Sequence, residues 1–180
     1  MIRAFLGLPV PQDSADHLTV LQHRLGLPRP VPARNFHITL AFLGQQREDT
    51  LEELHLALLE RPLEAPDLRL DGLGVFGGET PRAIHVTLAP DARLTLLSRR
   101  ARQAARSVGI ALEARKFNPH VTLGRFAPGE VSAQTLAGAI GRIGGLSAEP
   151  WVPAALVLFR STLRKDGAEY DVLAEYPLRA

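Results

Sequence analysis

Two halves of the chain repeat one order of elements, and this repeat constrains the fold more than any other feature. Apolar residues at alternating positions predict strands, and apolar residues three or four apart predict helices. Each half reads strand, helix, strand, helix, strand, and one more strand ends the second half. The predicted strands cover residues 2–8, 36–42, 68–76, 82–89, 119–126, 151–161 and 169–178. We therefore expect an α+β protein that forms one bilobal domain, residues 1–180. Its two lobes would be related by a pseudo-twofold axis, each an antiparallel sheet with flanking helices, and would form a central cleft between them.

Residues of N-cap type mark the predicted helix starts. Ser14, Asp91 and Ser132 each precede an apolar stripe at helical spacing. Thr50 and Glu53 form the Thr-x-x-Glu pattern of a capping box. Because side-chain oxygens at such positions accept hydrogen bonds from the free N–H groups of a first turn, the pattern predicts helices that begin at these four places.

The chain has no cysteine and no long apolar run. The lack of cysteine excludes disulfides, a cysteine nucleophile, thiolate zinc sites and iron–sulfur clusters. A membrane-spanning helix needs about 20 apolar residues, and the apolar segment at the start is too short for a signal peptide. We expect a cytoplasmic monomer with no membrane partner.

One tetrapeptide, His-x-Thr-Leu, occurs three times, at 37–40, 85–88 and 120–123. Chance placement of six His among 180 residues would give fewer than one His-x-Thr pair, so three copies indicate a shared role. Strand alternation places the imidazole and the hydroxyl of each copy on one face. In the first copy the predicted apolar face is Phe36, Ile38, Leu40 and Phe42, and the predicted polar face is His37, Thr39 and Ala41.

The repeated order of elements indicates which two copies are equivalent. His37 and His120 lie on the second strand of their halves, whereas His85 lies on the first strand of its half, the place that the strand of Phe5 takes in the first half. A pseudo-twofold axis would therefore bring His37 and His120 face to face across one cleft, with His85 outside the pair.

The chain resembles the 2H phosphoesterase superfamily over nearly its full length, and within it the RNA 2′,3′-cyclic phosphodiesterases, originally called 2′-5′ RNA ligases. The resemblance rests on RAFLGL, NFHITLAFLG, FNPHVTLGRF, LVLFRSTL and YDVLAEYPL, in that order along the chain. It implies hydrolysis of the 2′,3′-cyclic phosphate ends of RNA to 2′-phosphates, with His37 as the proton donor and His120 as the proton acceptor. The third copy departs from the family pattern, so His85 inherits no role, and we expect His85→Ala to keep most of its kcat.

The residue types suit acid–base chemistry on a phosphate. Histidine can give or take a proton near neutral pH, although the residues alone do not say which of the two is the acid. Thr39 and Thr122 could each donate a hydrogen bond to the non-bridging oxygens, and Arg125 could reach the same phosphate if its strand bends near Gly124. No Asp or Glu adjoins His37 or His120 and there is no HExxH motif, so we expect neither a metal nor a cofactor.

The expected partners are RNA or oligonucleotide ends that carry a 2′,3′-cyclic phosphate, and Phe5 or His85 is a candidate for stacking on the nucleobase. Three alternatives stay open. The same acid–base pair run in reverse could act as a 2′-5′ RNA ligase that joins a cyclic phosphate end to a 5′-hydroxyl. The substrate could be a small cyclic nucleotide instead of RNA. A module that binds nucleotides without turnover is the third, although two intact motifs argue against it.

Overall fold

An antiparallel sheet and four helices make up the part of the chain that the computed structural model describes, residues 1–114, 116–146, 148–165 and 167–179. The strands are β1 (Ile2–Pro9), β2 (His37–Gln46), β3 (Leu70–Phe76), β4 (Ala83–Leu88), β5 (His120–Arg125), β6 (Ala155–Arg164) and β7 (Gly167–Pro177). The helices are α1 (Gln12–Leu25), α2 (Glu48–Leu59), α3 (Ala92–Ser107) and α4 (Ala133–Gly141), with a short 3₁₀ helix at Ala33–Asn35. The predicted α+β class is confirmed. None of the described helices has the length and apolarity needed to cross a membrane.

The strand order is β3-β4-β5-β2-β1-β6-β7, with antiparallel pairing throughout. Exchanging β1 with β4, β2 with β5 and β3 with β6 reverses the order of the first six strands, which is the pseudo-twofold relation expected from the repeat. The structure adds that each half lends its third strand to the other: β3 pairs with β4, and β6 pairs with β1. We call β2-β1-β6-β7 the first lobe and β3-β4-β5 the second lobe. They join at one register pair between β2 and β5, Ile38 with Val121.

The larger of two clusters of buried apolar residues lies between the sheet and the helices. Ile38 and Leu40 of β2 and Val121 and Leu123 of β5 are at most 2% exposed. Each such side chain stabilises the fold by about 2 kcal/mol on burial. The apolar residues that the helices add to this core include Leu18, Leu21, Leu54, Leu58, Leu94, Leu97, Leu136 and Ala139. Because all four helices pack on this face, the opposite face of β2 and β5 is left open to form a cleft.

A β-bulge changes which face the second part of β2 presents. Leu40 is the extra residue, because its neighbours Thr39 and Ala41 pair with consecutive residues of β1. An extra residue shifts the alternation of side chains by one position. Ala41 is therefore buried in the core and Phe42 is 58% exposed. The prediction that Phe42 lies on the apolar face and Ala41 on the polar face is wrong for this reason.

Two of the predicted helix starts are confirmed. The Asp91 carboxylate accepts the backbone N–H three residues later at 2.6 Å, and the Ser132 hydroxyl does the same at 3.0 Å. The predictions for the other two starts are wrong, because α1 and α2 begin before Ser14 and Thr50. Acidic side chains lie in the first turn of both helices, where they interact favourably with the helix dipole without a side-chain cap.

Candidate active site

The two motifs that the repeat pairs lie on neighbouring strands, β2 and β5. Their antiparallel register sets His37 beside Thr122 and His120 beside Thr39. All four side chains are half-buried and lie on the open face of the sheet. The structure thus brings together the four motif residues predicted from the sequence.

A backbone carbonyl fixes the tautomer of His37 and of His120, which we call the motif histidines. The Nδ1 of His37 lies 2.7 Å from the carbonyl oxygen of Asn35, and the Nδ1 of His120 lies 2.7 Å from that of Asn118. Because a carbonyl oxygen only accepts, Nδ1 carries the hydrogen in both rings. The Nε2 atom of each neutral ring is then the one that can take a proton, and in His37 it accepts from the Thr39 hydroxyl at 3.0 Å.

Asn35 and Asn118 are the residues that supply those carbonyls, and their role was not predicted. Asn35 is buried, and its side-chain amide donates to the carbonyl oxygen of Ala168 at 2.7 Å, which ties the β2 entrance to β7. An Asn two residues before each motif histidine was the sequence signal that marked these positions.

Burial and positive charge lower the pKa of both motif histidines. For His37 burial is the main cause, followed by the opposing effect of the Asn35 carbonyl and by the charges of His120 and Arg125, and the pKa falls from 6.5 to about 4. Burial is also the main cause for His120, whose pKa Arg125 lowers further against its own carbonyl partner. Both rings are therefore neutral in the free protein near pH 7. An anion held between them would raise both pKa values.

Arg125 reaches the cleft because β5 contains the bend that the sequence left conditional. Leu123 is the extra residue of a second β-bulge, since its neighbours pair with consecutive residues of β4. The bulge turns Arg125, which is exposed, toward the cavity that the His37 side chain lines. Gly124 permits this close packing, because a Cβ atom there would lie 3.2 Å from the backbone oxygen of Arg29.

Aromatic rings pack behind His37. The ring centroid of Phe5 lies 4.7 Å from that of His37, and Phe159 stacks on Phe5 at 4.9 Å. Tyr170 of β7 meets His37 edge-on at 5.1 Å. The sequence did not predict Phe159 or Tyr170, because their strands come to the site only through the pairing of β6 with β1 and of β7 with β6.

Rings also pack behind His120, and one of them belongs to the third motif. The centroid of His85 lies 5.0 Å from that of His120, and Phe76 stacks on His85 at 4.0 Å. His85 is 3% exposed and Phe5 is 2% exposed. The prediction that either ring stacks on a nucleobase is wrong, because protein side chains cover both of them.

Two cavities border the paired motifs. The first, of about 570 Å³, touches His37 and Thr122, and the second, of about 450 Å³, touches His120 and Thr39. The basic residues on the wall of the first cavity are Arg29, Arg125, Arg164 and Lys165. The rings on the wall of the second cavity are Phe42, Phe76 and Phe117, with the basic residues Arg102 and Lys116 nearby. The first cavity suits an anionic group, and the second presents apolar rings beside cations.

Comparisons with known proteins agree with this architecture. The family model described as the 2′-5′ RNA ligase superfamily matches residues 9–163. An RNA 2′,3′-cyclic phosphodiesterase of Thermus thermophilus is 32% identical over 196 aligned positions, which cover 99% of this chain and 91% of the relative. One of Geobacillus stearothermophilus is 34% identical over 82% of this chain, but the chain spans about half (47%) of that relative's length.

Solved structures share the fold. The TT0787 protein of Thermus thermophilus matches with a TM-score of 0.81 at 28% identity, over 99% of this chain and 98% of its own. LigT of Escherichia coli, solved in complex with 3′-AMP, also matches with a TM-score of 0.81, at 23% identity and over the same shares of both chains. At that identity the likeness to LigT concerns the fold alone.

Proposed function

Because the chain belongs to the 2′-5′ RNA ligase superfamily, we propose that it is an RNA 2′,3′-cyclic phosphodiesterase that opens 2′,3′-cyclic phosphate ends to 2′-phosphates. The observation that carries the proposal is the adjacency of two His-x-Thr strands whose imidazoles both have Nδ1 hydrogen-bonded to a backbone carbonyl, so that Nε2 is the nitrogen that can exchange a proton. The names of the relatives from Thermus and Geobacillus support the choice of substrate.

The reaction needs one base and one acid. A water oxygen forms a bond to phosphorus while one imidazole takes its proton, and the bond from phosphorus to O3′ breaks while the other imidazole gives O3′ a proton. The phosphate stays on O2′. The family resemblance assigns the proton donor to His37 and the acceptor to His120, and exchange with water then restores both rings.

Binding of the substrate itself favours the state in which one imidazole is protonated and the other is neutral. A phosphodiester anion next to the two rings opposes the burial that keeps them neutral, so one ring gains a proton when the substrate binds. Binding and activation of the acid are thereby linked, and neither of the two rings carries a charge in the free protein near pH 7.

Three further residues act on the phosphate oxygens. Thr39 and Thr122 line the two cavities and would donate hydroxyl hydrogen bonds as negative charge develops, Thr39 once a protonated His37 no longer accepts its hydrogen. Arg125 would add a permanent positive charge from the first cavity. Preorganised donors of this kind commonly lower a barrier by about 3 kcal/mol each. No step of this scheme requires a metal.

The second cavity favours ligation as a second candidate function. It lies beyond His120, on the other side of the motif pair from the basic cavity, and is large enough for part of a second strand. A 5′-hydroxyl delivered there could take the place of water and form a 2′-5′ bond. Water at its bulk concentration favours hydrolysis whenever the second cavity is not filled.

Product analysis tests the proposal. An oligonucleotide with a 2′,3′-cyclic phosphate end is expected to give only the 2′-phosphate, and turnover is expected to persist in excess EDTA, because the two rings supply all the proton transfers. Chromatography against synthetic 2′- and 3′-phosphate standards measures both points. A 3′-phosphate product, or activity lost in EDTA and restored by a divalent metal, would contradict the scheme, and a 2′-5′-linked product with an added 5′-hydroxyl strand would establish ligation.

The pH dependence follows from the lowered pKa values. The kcat/KM of the free enzyme requires one protonated and one neutral imidazole, so its bell-shaped profile is expected to peak below pH 6.5 and to fall as the pH rises and the acid loses its proton. Bound phosphate raises both pKa values, so the profile of kcat is expected to peak at a higher pH than that of kcat/KM. Initial rates from pH 4 to 9 measure both, and coincident profiles centred above pH 7 would contradict the proposed burial effect.

A further inference from the structure

The third motif lies against the proposed active site and not outside it. β4 pairs with β5 in a register that sets His85 opposite Thr122 and Thr87 opposite His120. The His85 ring meets the His120 ring at an interplanar angle of 61° with the centroids 5.0 Å apart. His85 is thus in direct contact with one of the two motif histidines.

The pseudo-twofold relation identifies the counterpart of His85. It exchanges β4 with β1 and β3 with β6, and the registers make His85, which pairs with Thr122, the counterpart of Gly7, which pairs with Thr39. Gly7 has no side chain, and the ring of Phe5, two residues before it on β1, fills this space instead: a Cβ atom on Gly7 would lie 3.4 Å from the Phe5 ring and 3.6 Å from the His37 ring. Phe5 meets His37 at 4.7 Å and has a ring of β6 stacked behind it, and His85 meets His120 at 5.0 Å and has a ring of β3 stacked behind it. Each motif histidine is therefore backed by the same two-ring arrangement, with an imidazole where the other lobe has a phenyl ring.

The surroundings of His85 suit an uncharged ring. In the described part of the chain its buried Nδ1 atom has no hydrogen-bond partner. Gly74 of β3 faces the ring so closely that a Cβ atom there would lie 2.5 Å from Nε2. Burial, and then the charge of His120, lowers the pKa of His85 to about 4, so the ring stays neutral near pH 7.

The orientation of the His120 ring depends on packing against neighbouring rings more than that of the His37 ring does. Among the described contacts, the ring of His37 is held at both nitrogens, by Asn35 and Thr39, whereas the ring of His120 is held by a hydrogen bond at Nδ1 alone. With one hydrogen bond, the ring can still rotate unless neighbouring side chains prevent it. The rings of His85 and Phe76 supply that packing, since the Phe76 centroid also lies 4.9 Å from that of His120.

We propose that His85 is a positioning residue for His120: its neutral ring, backed by Phe76, holds the His120 imidazole in the orientation for proton transfer and keeps water away from it, as Phe5 does for His37. The kinetic side of this inference rests on the proposed phosphodiesterase function. It replaces the expectation from sequence that His85→Ala keeps most of its kcat.

Two substitutions of His85 distinguish the packing role of its ring from a chemical role of its nitrogens. His85→Ala removes the wall and is expected to lower kcat about tenfold with KM changed less than about twofold, because misorientation of a proton-transfer group affects the reaction more than binding. His85→Phe copies the ring of Phe5 and is expected to recover kcat to within about threefold of the unsubstituted enzyme. Initial-rate kinetics on the cyclic-phosphate oligonucleotide measure both.

An NMR titration of His120 gives a readout that does not need turnover. The charges and titratable groups near this ring include Arg125 on its own strand, His85 on β4 and His37 on β2. The cavity that His120 borders also has Arg102, Glu113 and Lys116 on its wall. Since burial is the main cause of its lowered pKa, admitting water in His85→Ala is expected to raise the pKa of His120 toward 6.5, and His85→Phe is expected to leave it low. If the unsubstituted protein opens no cyclic phosphate, the proposed function fails, and the titration still decides on positioning.

Controls separate positioning from general destabilisation. Ile84→Val trims the neighbouring residue of β4, which faces the core, and is expected to lower the melting temperature without changing kcat or the pKa of His120. If His85→Ala does not fold, Phe76→Leu at a partly exposed position removes the backing ring and should lower kcat in the same direction. The proposal would be overturned in favour of a chemical role for the nitrogens if His85→Phe folds but loses as much kcat as His85→Ala. It would be overturned outright if His85→Ala changed neither kcat nor the pKa of His120.

Discussion

Replacing His37 or His120 with alanine is expected to lower kcat by about 10²–10⁴, the usual loss on removal of a general acid or base. Each substitution removes an imidazole whose Nδ1 is bound to a carbonyl and whose Nε2 is therefore the nitrogen that can exchange a proton. The double substitution is expected to lose much less than the product of the two single losses, because groups that act as a unit are not additive. Steady-state rates on a cyclic-phosphate oligonucleotide measure all three variants.

A matched control is available on the opposite side of the molecule. His17 is an exposed histidine of α1 whose Nδ1 lies 2.8 Å from the carbonyl oxygen of Asp13 in the same helix, so His17→Ala should keep the full kcat. Circular dichroism and thermal melting establish that each variant is folded. The two-histidine scheme would be wrong if a folded His37→Ala or His120→Ala turned over substrate at close to the original rate.

Loss of the Arg125 guanidinium is expected to have the next largest effect. Arg125→Ala should lower kcat/KM by about 10²-fold, because in the proposed scheme the guanidinium gives the phosphate hydrogen-bond donors and a fixed positive charge. It should also raise the pKa of His37 and His120, since the nearby cation is one cause of their lowering, and so move the kcat/KM profile to higher pH. Arg125→Lys keeps the charge without the planar fork and should recover only part of the rate.

The control for Arg125 is an arginine of equal charge on the helical side. Arg106 is exposed in the last turn of α3, far from the open face of the sheet. Arg106→Ala changes the net charge by the same amount and should leave kcat/KM and its pH profile unchanged at a fixed ionic strength. Equal effects of Arg106→Ala and Arg125→Ala would show that net charge, and not a contact with phosphate, is responsible.

Much of the candidate site could be predicted from the sequence because its determinants are local. Alternation along β2 separates Ile38 from His37 and Thr39, and it does so without reference to any other strand. The repeated order of elements then identified His120 as the equivalent of His37, and the structure places the two motifs on adjacent strands. The roles of these residues in catalysis stay predictions until the substitutions above are measured.

Contacts that depend on two distant segments could not be predicted. The Leu40 and Leu123 bulges, which turn Phe42 and Arg125 toward the cleft, exist only where β2 pairs with β1 and β5 pairs with β4. A strand that reads as regular alternation gives no sign of an extra residue until its partner is fixed. The sequence therefore placed Phe42 in the core and left Arg125 conditional.

The sequence by itself determined the elements, the face of each strand up to its bulge, and the pair of equivalent motifs, since period and spacing are properties of one segment. Only the tertiary structure decided that β3 pairs with β4 and β6 with β1. Any strand can form backbone hydrogen bonds with an open sheet edge, so the sequence of a strand does not say which half it joins. That exchange brings Phe76 behind His85 and Phe159 behind Phe5. The borrowed strands thus complete the packing around both motif histidines, whose burial is the main cause of their lowered pKa values.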